Sequence, residues 1–250
     1  LAEPTQNHIA GGDPQTVAAS RAVMEQGGNA FDAIVAGAFM AMVSESTLTS
    51  AGGGGYLMAS TEDAEPVLFD FFNTMPGGDV AAGNLDFLSV SVDFGSATQE
   101  FHIGRGAVAV PGNVPGLLRV QEKLGCLDRV AVLAPAIRAA REGVILSVQQ
   151  AEFIRMLEPI LTHTPEARAL YAPKGNLLRG GELFSMPEFA DCLEVLAAKG
   201  PSLFQTGAVA NTILEWAEQG GLIRAEDLTQ YQVEERAPLR VQGVQFEDFE

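Results

Sequence analysis

The chain has 250 residues, 15 Lys+Arg against 32 Asp+Glu, and a formal charge of −17. At 47% hydrophobic and 19% charged it is a globular rather than a disordered composition, and a chain this long buries about three quarters of its unfolded surface without needing disulfides or a metal. The acidity argues against nucleic-acid binding, since the basic residues are scattered and the densest group, Arg129, Arg138 and Arg141, sits among apolar residues; no apolar run is long enough for a membrane span.

Asp13 caps a first helix ending at Glu25, with Pro14 at its first position and Gly27-Gly28 as its stop. Asn29 caps a second, apolar nearly all round, from Ala30 to Val43, and such a helix is buried on several sides. After Ser44–Ala51 and the glycine run Gly52–Gly55, Tyr56–Ala59 and Val67–Phe72 read as two strands, whose continuous apolar character predicts cover on both faces. Residues 77–104 show no clean period. A short strand is predicted at Ala107–Val110, then the turn Pro111–Gly116 and a helix over Leu117–Leu124.

From there the pattern is helical. An Asp128-capped helix runs to Glu142 and a Ser147-capped one to Leu161; others cover Pro187–Lys199 and Gly207–Gln219, and a short one starts near Ala225. The stretch Pro165–Leu183 reads either as a mobile surface loop or as a stretch hiding short irregular turns, and the acidic end from 240 to 250, with Glu247, Asp248 and Glu250, as a mobile tail.

Taken alone, these residues offer no complete catalytic set. Cys126 and Cys192 have neither zinc nor redox spacing, and His8, His102 and His163 lack ligand-spaced neighbours, so neither a metal nor a cofactor is expected. The glycine run has a helix before it and a strand after it, the reverse of a phosphate loop, and reads as a tight connection packed against neighbouring backbone. No Gly-x-Ser-x-Gly elbow is present.

Several stretches, however, resemble the γ-glutamyltranspeptidase family in order along the chain. Gly27-Gly28-Asn29-Ala30-Phe31-Asp32-Ala33 is similar to its Gly-Gly-Asn-Ala-x-Asp-Ala signature, and Glu45–Tyr56 to the segment that follows, ending in glycines before an aromatic. Val108–Gly116 is similar to its Val-Pro-Gly-x-x-x-Gly turn. Leu133–Ile137 with Glu142-Gly143, Phe204 with Gly207, Gly220-Gly221, and Asp227-Leu228 with Tyr231 continue the likeness to about residue 240.

The resemblance implies an α/β fold, the αββα sandwich of N-terminal-nucleophile hydrolases, with residues 1–250 as one large-subunit-like domain completed by a small subunit. That partner would carry a Thr nucleophile whose own α-amine acts as base, so no catalytic residue is expected in this chain. Asn29 and Asp32 read as structural groups at a helix start. The substrate would be a small amide or γ-glutamyl compound, and the family's usual compartment is periplasmic or secreted, with no signal peptide visible.

Two departures bear on function. Where the family has an Arg that holds the donor's α-carboxylate, this chain has Phe72, followed by Asn73 and Thr74. These three, with Arg105 as a replacement charge from a neighbouring loop, are the candidate substrate-binding residues, and an apolar or aromatic acyl group becomes the alternative donor. The sequence also reaches Glu250 soon after Arg236–Leu239, where family large subunits continue, and reads as a fragment, a trimmed subunit or one half of a two-chain enzyme, inactive alone. The competing reading is a non-catalytic homologue binding a peptide-like or amino-acid-like ligand.

Overall fold

The computed structural model describes residues 7–79 and 81–240, and its first helices begin where the sequence supplies caps. The expected tail lies, from residue 241 on, outside the described residues. Asp13 accepts from the Gln15 N–H at the start of α1 (Pro14–Glu25). Asn29 opens α2 (Ala30–Ser44) with a reciprocal capping box: its Oδ1 accepts from Phe31 and Asp32, while Asp32 Oδ2 accepts from the Asn29 N–H. The chain then forms β1 (Gly55–Thr61), β2 (Ala64–Phe71), β3 (Leu88–Asp93) and β4 (Thr98–Ile103). It continues through α3 (Asn113–Leu124), α4 (Arg129–Glu142), β5 (Val144–Ile145), α5 (Val148–Met156), α6 (Glu158–Leu161), α7 (Pro165–Tyr171) and β6 (Leu183–Phe184). The end comprises α8 (Pro187–Lys199), α9 (Ser202–Gln205), α10 (Ala208–Ala217), α11 (Ala225–Gln230) and β7 (Glu234–Arg236).

Four expectations change. Residues 88–103 form the β3–β4 hairpin, with Val90 and Val92 alternating with Ser91 and Asp93, a two-residue period that was present in an otherwise polar stretch. The strand expected at Ala107–Val110 reduces to a single bridge between Val110 and Thr74, because Arg105–Ala107 turn as a short 3₁₀ helix. The long helix from Ser147 breaks at Leu157, where Pro159 begins a new turn and cannot donate a backbone hydrogen bond. The stretch 165–183, expected as a surface loop or short irregular turns, contains the helix α7 and runs into β6.

The main sheet is antiparallel in the order β1-β2-β7. Leu57 pairs with Phe69, and Leu68, Phe69 and Asp70 pair with Arg236, Glu235 and Glu234. One face, with Ala59, Phe69 and Phe71, packs on α2 and α3, around Phe39, Val114, Leu117 and Val120, and this core runs on through α4 and α8 via Leu133, Leu193 and Leu196. Each such burial stabilises by about 1.5–3 kcal/mol. The opposite face of β1 is left open by the described residues: Tyr56 is 58% and Met58 62% exposed. The cover on both faces that the apolar runs predict is therefore absent among the described residues. A second core, with Ile154, Tyr171 and Phe184, joins α5, α7 and β6, and a third gathers Val110, Ala210, Ile223, Leu228 and Tyr231.

Asp32 ties this framework together. Wholly buried, its Oδ2 accepts from the backbone N–H groups of Asn29 (3.1 Å), Cys126 (2.9 Å) and Leu127 (3.3 Å) and from the Cys126 thiol (3.2 Å). The carboxylate thus fastens the α3–α4 connection to the start of α2, and Asn29 Nδ2 adds a bond to the Leu124 carbonyl at 2.7 Å.

Candidate functional site

The glycine run lets three stretches of backbone meet. None of Gly52–Gly55 has a positive φ, so a left-handed conformation is not what requires them. A Cβ on Gly54 would lie 2.5 Å from the Asn73 nitrogen and 2.9 Å from the Phe71 carbonyl oxygen, closer than real side chains come to backbone. From the other side, the N–H groups of Gly112 and Asn113 both donate to the Gly53 carbonyl, at 2.9 and 2.8 Å. A Cβ on Gly112 would overlap the Phe71 carbonyl, and one on Gly116 the Phe71 ring.

Two asparagines complete the knot. Asn73 Nδ2 donates to the carbonyls of Gly52 (3.2 Å) and Val110 (3.0 Å), and Asn113 Nδ2 to that of Ser50 (2.7 Å). The Thr74 carbonyl accepts from the Val110 N–H at 2.9 Å. Beside the knot lies a pocket of about 470 Å³ whose lining includes Ala38, Met42, Thr49, Gly55, Tyr56 and Asn113.

Phe72 stands at the rim of this arrangement, 53% exposed, its ring stacked on Tyr56 with centroids 5.4 Å apart and planes 12° from parallel. Its N–H donates to Asp70 Oδ1 at 3.1 Å, and its carbonyl accepts from the Tyr231 hydroxyl at 3.0 Å. Asp70 is paired in turn with Arg236 at 3.0 Å. Burial, with the Asp70 charge adding to it, pushes the Tyr231 hydroxyl up to about 12, so it remains a donor at neutral pH.

Arg105 belongs to a second cluster. Its backbone N–H and its Nη1 both donate to Asp86 Oδ2 at 3.0 Å, and its guanidinium lies over Trp216, 5.3 Å from the ring centroid. The Arg105 N–H, followed by its guanidinium, holds the Asp86 carboxyl below the usual range. Phe72, Asn73 and Thr74 are thus brought together at the glycine knot, while the charge of Arg105 is engaged by Asp86. Sequence reasoning missed Tyr56, Asn113 and Tyr231 as parts of this site. Asn113 carried one local signal, standing directly after Pro111-Gly112 at a helix start; the contact of Tyr231 with Phe72 spans 159 positions and leaves no local trace.

Among the described residues no group of three or more His, Cys, Asp or Glu is placed to hold a metal ion. No described helix is long and apolar enough to cross a membrane.

The chain is similar to known proteins along most of its length. The family model described as gamma-glutamyltranspeptidase matches residues 16–247. The acylase ACY 1 proenzyme of Pseudomonas sp. (strain V22) is 31% identical over 230 residues, 91% of this chain and 41% of that protein. The glutathione hydrolase proenzyme of Pseudomonas aeruginosa is 32% identical over 227 residues, 88% of this chain and 38% of that one. The chain therefore spans well under half the length of these relatives. Among solved structures, gamma-glutamyltranspeptidase from Pseudomonas nitroreducens complexed with L-DON superposes with a TM-score of 0.81 at 28% identity, covering 97% of this chain and 70% of that one. The Helicobacter pylori gamma-glutamyltranspeptidase gives 0.80 at 27%, covering 94% and 68%.

Proposed function

The chain belongs to the gamma-glutamyltranspeptidase family, and from that premise we propose that it is the large-subunit part of an N-terminal-nucleophile amidohydrolase or acyltransferase. Its fold is the helix-rich part of the αββα sandwich of such hydrolases. In this reading a partner small subunit brings a Thr whose hydroxyl attacks the substrate carbonyl, its own α-amine taking the proton. The names of the relatives as proenzymes support a two-part enzyme, and the open face of β1 supports a site completed by another chain.

The observation that carries the specificity is Phe72. Where the family resemblance calls for an Arg against the donor's α-carboxylate, an exposed aromatic ring stacks on Tyr56, and Arg105 is held by Asp86. A carboxylate there forgoes a charge-assisted bond of about 1.5–3 kcal/mol, roughly ten- to a hundredfold in binding. The acyl group taken is therefore one without a carboxylate at the end of the chain remote from the scissile amide.

The test is kcat/KM of the assembled enzyme for γ-glutamyl anilides against aromatic acyl anilides, with a glutaryl anilide, which keeps the distal carboxylate, grouped with the γ-glutamyl ones and Phe72→Arg alongside. The wild type should favour the apolar acyl groups, and Phe72→Arg should raise γ-glutamyl turnover about tenfold or more. A robust γ-glutamyl preference that Phe72→Arg does not improve would sink the reading and move the carboxylate to Arg105 or another cation. A partner chain lacking a Thr at its start would turn the protein into a binding module.

A further inference from the structure

Phe72 lies one residue beyond the end of β2, past the last rungs of the ladder, Phe71 with Gly55 and Asp70 with Glu234. Its peptide groups are nonetheless held on both sides. Asp70 Oδ1 takes the N–H at 3.1 Å, and the Tyr231 hydroxyl donates to the carbonyl at 3.0 Å. We propose that Tyr231 and Asp70 are positioning residues that fix the Phe72 peptide and, through it, set the acyl-donor selectivity of the site. The inference rests on the reading of Phe72 as the acyl-recognition position.

Both holders are themselves fixed. The Tyr231 ring is buried in the third core with Val110, Ile223 and Leu228, so its hydroxyl reaches Phe72 from a rigid base. The same hydroxyl stands so close to Gly112 that a Cβ there would overlap it, which puts Tyr231 against the knot that also holds Asn73. Asp70 is kept in place by Arg236 on β7, which follows Tyr231 after a short connection. The segment from Tyr231 to Arg236 therefore grips the Phe72 peptide from outside β2. With the N–H, the carbonyl and the following Asn73 side chain all anchored, the direction in which the Phe72 ring leaves the backbone is set by these contacts. A site of this kind discriminates between donors by geometry held within fractions of an ångström.

Tyr231→Phe keeps the ring and the third core and removes only the hydroxyl. In the assembled enzyme its effect is read as the ratio of kcat/KM for an aromatic acyl anilide to that for a γ-glutamyl anilide, alongside the melting temperature. Losing the bond should shift that ratio about threefold or more. The shift should differ when Phe72→Arg is already present, because the hydroxyl acts through residue 72. Asp70→Ala, which releases the N–H side, should move the ratio as well and serves if Tyr231→Phe does not fold. A merely structural bond lowers both substrates by the same factor, and an unchanged ratio in both variants overturns the proposal. A wild type inactive on every acyl anilide removes the functional reading instead, and this inference with it.

Discussion

Asp32 shows how one side chain sets a framework. Burial alone would raise its carboxyl, but the Cys126 N–H and thiol, the Asn29 N–H and the Gln121 amide outweigh it and hold the group below its ordinary 3.8. Asp32→Ala strands three backbone donors, of Asn29, Cys126 and Leu127, in a closed site, and should cost about 3 kcal/mol or more of stability. The sign of its pH dependence follows from the lowered value. The carboxylate's contribution is fully present above the unfolded value near 3.8 and fades as pH falls through the lower folded value. Urea midpoints of the wild type and Asp32→Asn should therefore differ by a constant amount from about pH 5 to 7 and converge in more acidic solution. A gap that widened on acidification would contradict this account. The exposed Cys126 thiol is affected in turn: its bond to Asp32 leads the effects that raise it, which makes it a poorer nucleophile than its exposure suggests.

At the scale of elements, the glycine run separates two uses of a residue without a side chain. A Cβ on Gly52 would meet only Ser50 Oγ, at 3.7 Å, an ordinary contact, whereas one on Gly54 would strike the backbone of Asn73 and Phe71. Gly52→Ala should leave the melting temperature nearly unchanged, and Gly54→Ala should cost about 1–3 kcal/mol while displacing Asn73 and with it Phe72. Equal tolerance at both positions in a thermal melt of the assembled protein would show that the knot is loose. Elements with local punctuation were legible from the residues alone: Asp13, Asn29, Asp128 and Ser147 all act as caps in the structure. The β3–β4 hairpin was not, because Thr98-Gln99-Glu100 supplies almost no apolar period. The Phe72–Thr74 stretch was found only through the resemblance to a family. The partners that hold it, Tyr231 and Val110, arrive from distant positions, and no window of neighbouring residues encodes that meeting.

For the whole molecule, charge and the open sheet face pull in opposite directions. A net −17 makes copies repel, while Tyr56, Met58 and Phe72 form an exposed apolar row on the open side of the sheet. Repulsion acts across the surrounding solution and is screened over about 30 Å at 0.01 M salt but only about 3 Å at 1 M. Apolar attraction acts on contact and is not screened. The chain prepared without a partner should therefore stay dispersed longest in dilute buffer and associate as salt is added, the reverse of a protein held together by surface ion pairs. Met58→Glu, which places a charge on the open face of β1, should move the onset of association to higher salt. Light scattering across that range decides the matter. A monodisperse monomer that melts cooperatively at every salt concentration would mean that the face needs no cover, and the case for a second chain would then rest on the relatives alone.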